Sequence, residues 1–273
     1  MKNDPQRYDV LLHMGDVYYS GLASEIKNQF ENYWPGAPLG LALNGNHEMY
    51  TGGHGYFEVA LPFLNQPTSY FALQNDFWTL IGLDTAYNQA PGGKEGVLDD
   101  DQVSWMGRIL KNSGARNLVL FTHHQPFSIL DDNNGGNLLA KLGEFFTDGR
   151  KIVWYWGHEH HCVLYDPHPE YGFQGRCIGH SGFPEPRPDL SGNTPSAQFG
   201  DQWRQLDATQ PTDPAKQAAP SGWALDSPNI YLPVEVADQF SPHGFMRLEF
   251  RDDKITEYVR SPGNANLYIG DLP

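Results

Sequence analysis

The alternation of apolar and polar stretches constrains the fold of this chain most. Over the first two-thirds of the sequence, short apolar runs typical of strands alternate with amphipathic stretches typical of helices, a pattern that predicts a layered α/β domain. We expect strands in "YDVLLHMGD", "LGLALNGNHE", "NLVLFTHH" and "KIVWYWGHEH". Helices are predicted in "ASEIKNQFENYW", "DDDQVSWMGRILKNSG" and "LLAKLGEFFTDG". Each of the four strands ends in polar residues, and sheets of this type bind ligands beyond the carboxyl ends of their strands.

Two hairpins and one irregular region complete the predicted organisation. "SYFALQ" and "FWTLIGLDTA" flank a turn at Asn75-Asp76, and "GFMRLEFRDDKITEYVRS" turns at Asp252-Asp253. Residues 184–228 are rich in Pro, Gly, Ser, Gln and Asp, so we expect a long irregular excursion, which is usually a functional loop or a disordered link. A chain of 273 residues is long enough for a substantial core. We expect one domain over residues 1–273 that contains the excursion.

The charge balance limits the classes of partner. The chain has 33 acidic and 18 basic residues and a net charge of -15, which repels the phosphates of duplex nucleic acid and leaves no polybasic stripe. Bound metal cations would therefore be needed to attract an anionic phosphate substrate. The sequence has no apolar run of the roughly 18 residues that a spanning helix needs, and its first residues lack the apolar segment of a secretory signal. We expect a soluble chain without a membrane partner, cytoplasmic by default; secretion remains open if the N-terminus is truncated, and so does the oligomeric state.

The two cysteines leave their redox state open. Cys162 and Cys177 could form one disulfide, but two cysteines do not define a disulfide framework. Two free thiols beside a buried pair of strands are an equally good interpretation.

Four strand ends carry the residues that indicate chemistry: "GDVYY" (15–19), "GNHE" (45–48), "THHQP" (122–126) and "GHEHH" (157–161). In an extended chain His158 and His160 face one side and Glu159 faces the other, and two imidazoles on one face suit a metal ion. The Asp16 carboxylate, the Asn46 amide oxygen and several neutral imidazoles form a mixed oxygen and nitrogen ligand set. Such a set suits Zn²⁺, Mn²⁺ or Fe ions rather than an all-oxygen calcium site or a thiolate zinc site.

The order of these motifs, GD, GNHE, H and GHxH, resembles the calcineurin-like metallophosphoesterase superfamily over about residues 8–184. The resemblance implies a layered α/β/β/α sandwich with central mixed sheets and two metal ions. It also implies a bridging role for Asp16, one ion held by Asn46, His123 and His158, and a second ion held by His160. The "GDxxY" spacing is similar to that of the purple acid phosphatase branch, in which the tyrosine binds ferric iron, so Tyr19 is a candidate phenolate ligand.

The resemblance implies metal-dependent hydrolysis of a small-molecule phosphate monoester by a water that the metals activate, with Asp16 and His47 as catalytic residues. His47 lies outside the implied ligand set and, as in relatives, would give a proton or hydrogen bond to the leaving group. Glu48 would orient His47 or a ligand, or would form an exposed ion pair. Asp84 is expected to be structural and Tyr18 to pack beneath the sheet edge, whereas His54 could contact substrate from a glycine-rich loop. A phosphodiesterase or nucleotidase, and a catalytically silent metal-binding module, are the alternatives.

Two questions stay open at the level of sequence. A His-x-Pro spacing that ends at Pro126 favours His124 as the lone histidine ligand. Counting back from Phe127-Ser128 favours His123, which we prefer. Because adjacent strand residues face opposite sides, we do not expect both to bind the same ion.

The family's first motif, an Asp-x-His or Asp-x-Gly on a first strand, has no clear counterpart, because Asp4 and Asp9 stand in the wrong context. We therefore expect a sheet without its first strand, and either a truncated N-terminus or weak binding of the second ion.

Overall fold

The strands of this protein form three sheets in the computed structural model, which describes residues 7–89, 95–114, 116–131, 136–210 and 217–272. In chain order the strands are β1 (Val10–His13), β2 (Leu39–Ala42), β3 (Phe71–Gln74), β4 (Trp78–Leu83), β5 (Asn117–Thr122), β6 (Ile152–Trp156), β7 (Cys162–Pro167), β8 (Gln174–Ile178), β9 (Pro195–Ser196), β10 (Gly200–Leu206), β11 (Gly222–Leu225), β12 (Phe245–Arg251), β13 (Lys254–Arg260) and β14 (Asn266–Leu272).

The largest described sheet is mixed. Its strand order is β3-β4-β5-β6-β8-β7-β11-β10-β9; β4, β5, β6 and β8 run parallel, and the other pairs are antiparallel. Strands β1 and β2 form a separate parallel pair, and β12, β13 and β14 form an antiparallel sheet. The α/β class with a central mixed sheet is confirmed, as are the two predicted hairpins, β3-β4 and β12-β13.

Helices are short except for one. The α-helices are α1 (Ala23–Glu25), α2 (Asn46–Met49), α3 (Leu61–Leu64), α4 (Asp100–Asn112) and α5 (Gly136–Leu142), with π-helical turns at Ile26–Phe30 and Tyr56–Ala60 and 3-10 turns at Glu31–Tyr33, Gly143–Phe146 and Ala237–Gln239. The Asp99 side chain caps α4 by accepting a hydrogen bond from the Gln102 N–H at 2.7 Å. Met106 and Leu110 lie one turn apart on its buried face.

The core lies on both faces of the large sheet, because alternate residues of a strand point to opposite sides. In β5, Leu118 and Leu120 belong to the core cluster that includes residues of α4 and α5, whereas Val119 and Phe121 belong to the cluster shared with the β12-β13-β14 sheet. Helices therefore cover one face and a smaller sheet covers the other. This arrangement holds the carboxyl ends of β5 and β6, where two of the motifs lie, side by side.

The prediction of an irregular excursion over residues 184–228 was wrong for three segments, which form strands. Strands β9, β10 and β11 lie within it and extend the large sheet beyond β7. A few apolar residues in β10 and β11 supply the burial that the overall composition concealed: Trp203, Leu206, Ala224 and Leu225 are all buried. Residues 211–216 lie outside the described part of the chain, and the expectation of a single domain over residues 1–273 stays a prediction.

A cleft of about 930 Å³ separates β1 from β12. Within the described residues, β1 pairs only with β2 and β12 only with β13, so each has an edge that faces this cleft. Apolar side chains line it, among them Leu11, Leu41, Phe121 and Phe250. Asp9 lies just before β1 and is exposed, and Asp4 falls outside the described residues.

The fold also bears on the predictions made for the two cysteines, for Asp84 and for membrane-spanning helices. Cys162 and Cys177 are buried free thiols on the neighbouring strands β7 and β8. Asp84 is buried and accepts hydrogen bonds from the Ala86 and Tyr87 N–H groups at 3.0 Å, a structural arrangement. None of the helices in the described part of the chain combines the length and the apolar character that a membrane-spanning helix needs.

Candidate metal centre

The Asp16 carboxylate and four other polar side chains, from four segments of the chain in all, meet at one place. His123 Nε2 lies 3.3 Å from Asp16 Oδ2, 3.0 Å from Asn46 Oδ1 and 3.2 Å from His158 Nδ1. His160 Nε2 lies 3.2 Å from the same Asp16 oxygen. We refer to Asp16, Asn46, His123, His158 and His160 as the Asp16 cluster. The structure thus brings together all of the predicted metal ligands except Tyr19.

Backbone geometry at the strand ends aims these side chains at one point. The His123 carbonyl oxygen, just after β5, accepts hydrogen bonds from the Gly157 and His158 N–H groups, both at 2.9 Å, just after β6. Asp16 and His160 have left-handed backbones with φ of 56° and 53°, a costly conformation for residues other than glycine that is concentrated at functional sites. A Cβ atom at Gly45 would collide with the side chain and backbone of Asp16, so this close approach requires glycine.

The expected extended conformation of the last motif was wrong. The chain turns after β6, and the His160 N–H donates to the Gly157 carbonyl oxygen at 3.2 Å. The turn still directs His158 and His160 to the Asp16 cluster, but strand alternation is not the cause. Glu159 points away from them into the core, where the Trp156 indole N–H donates to it at 2.6 Å and the Ser128 hydroxyl also donates to it.

The second polar atoms of three cluster residues are held by protein groups. His123 Nδ1 donates to the Met14 carbonyl oxygen at 2.7 Å, which leaves Nε2 facing the cluster. Asn46 Nδ2 donates to the Tyr50 hydroxyl at 3.0 Å, which leaves Oδ1 facing the cluster. His160 Nδ1 lies 3.7 Å from Glu185 Oε2. Metal-binding histidines commonly have such an outer partner, which fixes the ring orientation and tautomer.

Glu185 is a residue of the site that no sequence pattern indicated. It lies at the start of the region predicted to be irregular, far along the chain from the GHxH motif. No local pattern distinguishes it from the other acidic residues of the chain, so only the fold reveals its proximity to His160.

Glu48 fastens the first two motifs together. Its carboxylate is buried and accepts hydrogen bonds from the N–H groups of Gly45 at 2.7 Å, Asp16 at 2.8 Å and Val17 at 2.7 Å. Burial and the nearby Asp16 charge raise the pKa of Glu48 to about 7, while the hydrogen bonds from Val17 and Asp16 oppose this rise. The alternative of an exposed ion pair was wrong, because Glu48 positions the backbone that carries Asp16.

His47 stands at the outer side of the Asp16 cluster. Its Nδ1 atom donates to the Tyr19 carbonyl oxygen at 2.7 Å, and its Nε2 atom lies 4.0 Å from Asp16 Oδ2. The side chain is 14% exposed. A protonated His47 would therefore direct its second N–H towards the cluster from the solvent side, as a proton donor to a leaving group requires.

Two tyrosines of the first motif differ from expectation. The Tyr19 side chain is 65% exposed and approaches the cluster only through its ring, edge-on to His47 at 6.0 Å between ring centroids. The structure does not bring its hydroxyl into the Asp16 cluster, so a phenolate ligand stays a prediction that this geometry does not support. Tyr18 is 45% exposed rather than packed beneath the sheet edge, because the chain turns outwards after Asp16.

The geometry distinguishes His123 from its neighbour His124. The ring nitrogens of His123, His124 and His158 can be chosen within 4.8 Å of one another. However, His124 Nδ1 lies 2.8 Å from Thr85 Oγ1, and its Nε2 lies 3.0 Å from Gln89 Nε2. Of the two, His123 is the residue that contacts Asp16 and Asn46. His54, by contrast, is exposed and lies 2.9 Å from Glu58, away from the cluster.

The electrostatics of the Asp16 cluster favour a cation. Burial opposes ionisation of Asp16, but the charge and hydrogen bonds of His123 and His160 hold the pKa of Asp16 well below its usual value. Burial followed by the charge of His123 lowers the pKa of His158 to about 3. A neutral His158 nitrogen, an amide oxygen and a carboxylate thus present lone pairs to one point around His123. A metal ion bound here would accept these lone pairs in place of the protons through which the side chains now hydrogen-bond to one another. The mixed oxygen and nitrogen donors fit Zn²⁺, Mn²⁺ or iron.

Comparison with known proteins places this arrangement in a family. The model of the calcineurin-like phosphoesterase family matches residues 2–162, which is more than half of the chain. The chain belongs to the calcineurin-like phosphoesterase family. A comparison with curated proteins gives no match. The family's description supports a metal-dependent phosphoesterase as the general class of this chain, and the match contains every residue of the Asp16 cluster.

Solved structures share the fold of this calcineurin-like phosphoesterase at low sequence identity. The purple acid phosphatase PPD1 from seeds of yellow lupin (Lupinus luteus) is 13% identical with a TM-score of 0.53, covering 95% of this chain and 45% of the lupin chain. GAP50, described as the anchor in the inner membrane complex of Plasmodium, is 10% identical with a TM-score of 0.53, covering 97% of this chain and 78% of that chain. The chain therefore spans less than half the length of the lupin protein.

Proposed function

We propose that this calcineurin-like phosphoesterase hydrolyses phosphate monoesters with two bound metal ions, drawn from Fe, Zn and Mn. The observation that carries the proposal is the position of Asp16 Oδ2, which lies 3.3 Å from His123 Nε2 and 3.2 Å from His160 Nε2. One carboxylate oxygen thus stands between two imidazoles that come from different segments. This is the arrangement expected of a bridging ligand.

The donor atoms separate into two groups around Asp16. Asn46, His123 and His158 would hold one ion on one side, and His160 would hold the other ion. When bound, the ions would neutralise phosphoryl oxygens and make a water more acidic. The charge balance supports this role, because a chain with a net charge of -15 has little other means of attracting a phosphate group.

The protein groups then supply position and a proton. Glu48 and Gly45 hold Asp16 in its left-handed conformation, and Tyr50 keeps the Asn46 oxygen turned inwards. His47 would approach the leaving oxygen with Nε2 and donate a proton as the ester bond breaks, while the Tyr19 carbonyl oxygen retains the other N–H. The GDxxY spacing and the fold shared with the lupin purple acid phosphatase support a monoester as the substrate.

The test is turnover of p-nitrophenyl phosphate by protein loaded separately with Zn²⁺, Mn²⁺ or iron, with the metal-to-chain ratio measured by elemental mass spectrometry. We expect a ratio near two and activity that Asp16→Ala and His158→Ala abolish, with His54→Ala as the control variant away from the cluster. Unchanged activity in the two cluster variants would refute the proposal. Faster turnover of bis(p-nitrophenyl) phosphate would indicate a diesterase, and tight metal binding without turnover would indicate a silent metal-binding module.

A further inference from the structure

Three aromatic side chains surround His47 on the outer side of the Asp16 cluster. The ring centroids of Tyr50, Phe183 and Tyr19 lie 4.7, 5.3 and 6.0 Å from that of His47. The three come from separate loops, which follow β1, α2 and β8. Phe183 also lies against His160, with 4.7 Å between ring centroids. We refer to Tyr19, Tyr50 and Phe183 as the aromatic collar.

The fold does not account for the collar as core packing. Tyr19 and Tyr50 are 65% and 48% exposed, Phe183 is half-buried, and none of the three belongs to a described hydrophobic cluster. Single exposed aromatics are ordinary on protein surfaces, but a group of them beside a reactive centre is typical of a binding site. Their flat apolar faces are suited to an aromatic ring, which gains both area burial and ring contacts.

Charge around the collar restricts the substrate further. Glu185, on the loop that carries Phe183, points a carboxylate towards His160, and Arg187 on the same loop is already paired with Asp226. A second phosphate or a carboxylate on the substrate would therefore face negative charge near the collar. An uncharged ester group avoids this repulsion.

We infer that the collar binds the ester group of the substrate and selects phosphate esters with an uncharged aromatic group over small aliphatic ones. This inference rests on the proposed phosphoesterase function, because it places the phosphoryl group at the Asp16 cluster. With the phosphoryl group there, the ester oxygen faces His47, and its substituent extends between Phe183 and the two tyrosines. The collar thus determines specificity while the cluster binds the group common to all substrates.

Two non-hydrolysable probes isolate this contact. Phenylphosphonate and methylphosphonate carry the same phosphonate group and no scissile ester bond. The difference between their affinities therefore reports the contact of the substituent alone, without any effect of leaving-group reactivity. Binding to the metal-loaded protein is measured by calorimetry and, independently, as competitive inhibition of p-nitrophenyl phosphate turnover. We expect phenylphosphonate to bind roughly tenfold more tightly, as one well-packed aromatic contact supplies.

Matched variants identify the residues responsible. Phe183→Ala should reduce the preference for phenylphosphonate to about threefold or less without weakening methylphosphonate, and Tyr19→Ala should reduce it in the same direction. Tyr87→Ala removes an exposed tyrosine that packs against Phe57 outside the collar and should leave the ratio unchanged.

The possible results distinguish a failure of the aromatic collar from a failure of the proposed function. Equal affinity for the two probes, or an unchanged preference in Phe183→Ala and Tyr19→Ala, would overturn the collar. A Phe183-dependent preference in a metal-loaded protein that hydrolyses no phosphoester would support the collar and refute the proposed function. If neither probe binds a metal-loaded protein that turns over p-nitrophenyl phosphate, the collar is overturned and the proposed function stands. If neither probe binds and no phosphoester is hydrolysed, both ideas fail.

Discussion

Glu48 holds Asp16 in place: its Oε2 atom accepts a 2.8 Å hydrogen bond from the Asp16 N–H. The same oxygen accepts from the Gly45 N–H at 2.7 Å, and Oε1 accepts from the Val17 N–H at 2.7 Å. One buried carboxylate therefore joins the GD turn to the GNHE turn. Because Asp16 has φ of 56°, its side-chain direction depends on these bonds rather than on local backbone preference.

Glu48→Gln should weaken metal binding although Glu48 is not itself in the Asp16 cluster. The amide can accept through only one oxygen and brings an N–H₂ group among three backbone donors, so we expect a loss of about 1–3 kcal/mol in the free energy of unfolding. Metal affinity should fall roughly 10- to 100-fold. Urea denaturation and metal titration measure these effects, with the exposed Glu58→Gln as control. An unchanged metal affinity would contradict the positioning role.

Glu185→Gln should weaken one metal site selectively. His160 Nδ1 lies 3.7 Å from Glu185 Oε2, and loss of an outer carboxylate typically costs 10- to 100-fold in metal affinity, roughly the effect expected here. At the lowest free-metal concentration that saturates both sites of the wild type, the ratio of metal to chain in the variant should fall towards one, because the ion held by Asn46, His123 and His158 stays bound. Glu235→Gln, at an exposed position of the chain, is the control. Equal loss of both ions would refute the selective role.

Metal affinity should rise with pH through the range set by His160. Burial alone would lower the pKa of His160, but the hydrogen bonds and charges of Asp16 and Glu185 raise it to about 9. Below that pH the ring must lose a proton before Nε2 can bind a metal, so affinity for the ion at His160 should increase about tenfold per pH unit up to about pH 9. Calorimetry in buffers of different protonation enthalpy counts the released protons. Release of none at pH 7 would contradict this.

The metal-free protein should lose stability in mild acid, in part through His180. Burial lowers the pKa of His180 to about 3, so between pH 6.5 and 3 the unfolded chain binds a proton that the folded chain does not. His180 has little effect on the free energy of unfolding above pH 6.5. At pH 5 it should lower that free energy by about 2 kcal/mol. Urea denaturation at pH 7 and 5 should show a smaller difference for His180→Gln than for the wild type. The same difference in both would refute the assignment, and the exposed His54→Gln should match the wild type.

Tyr19→Phe should keep the metal content and any visible absorption of the iron-loaded protein unchanged. The Tyr19 ring reaches His47 only edge-on, and its exposed hydroxyl lies outside the Asp16 cluster. A phenolate ligand to ferric iron would instead give a visible absorption band that this substitution removes. Loss of such a band would restore Tyr19 to the ligand set, whereas Tyr19→Ala tests its separate role in the collar.

Local sequence patterns identified the α/β class, the two hairpins and the polar strand ends, because residue periodicity and ligand chemistry are properties of short segments. They favoured His123 over His124 but left the alternative open, since adjacent residues differ only in the direction that the strand's neighbours give them. Strands β9, β10 and β11 were missed because a few buried residues such as Trp203 outweigh a polar, proline-rich composition only once a sheet edge is present to receive them.

The sequence by itself determined which residue types gather at the strand ends: a carboxylate, an amide and several imidazoles in an order that resembles one superfamily. Only the tertiary structure decided how they meet. Glu48 reaches back to Asp16, Glu185 approaches His160 from a distant loop, and Phe183 and Tyr50 close around His47. Except for the contact between Tyr50 and His47, which are three residues apart, these contacts join residues far apart in the chain through left-handed turns and loops. Their directions depend on packing and long-range hydrogen bonds, which no local pattern encodes.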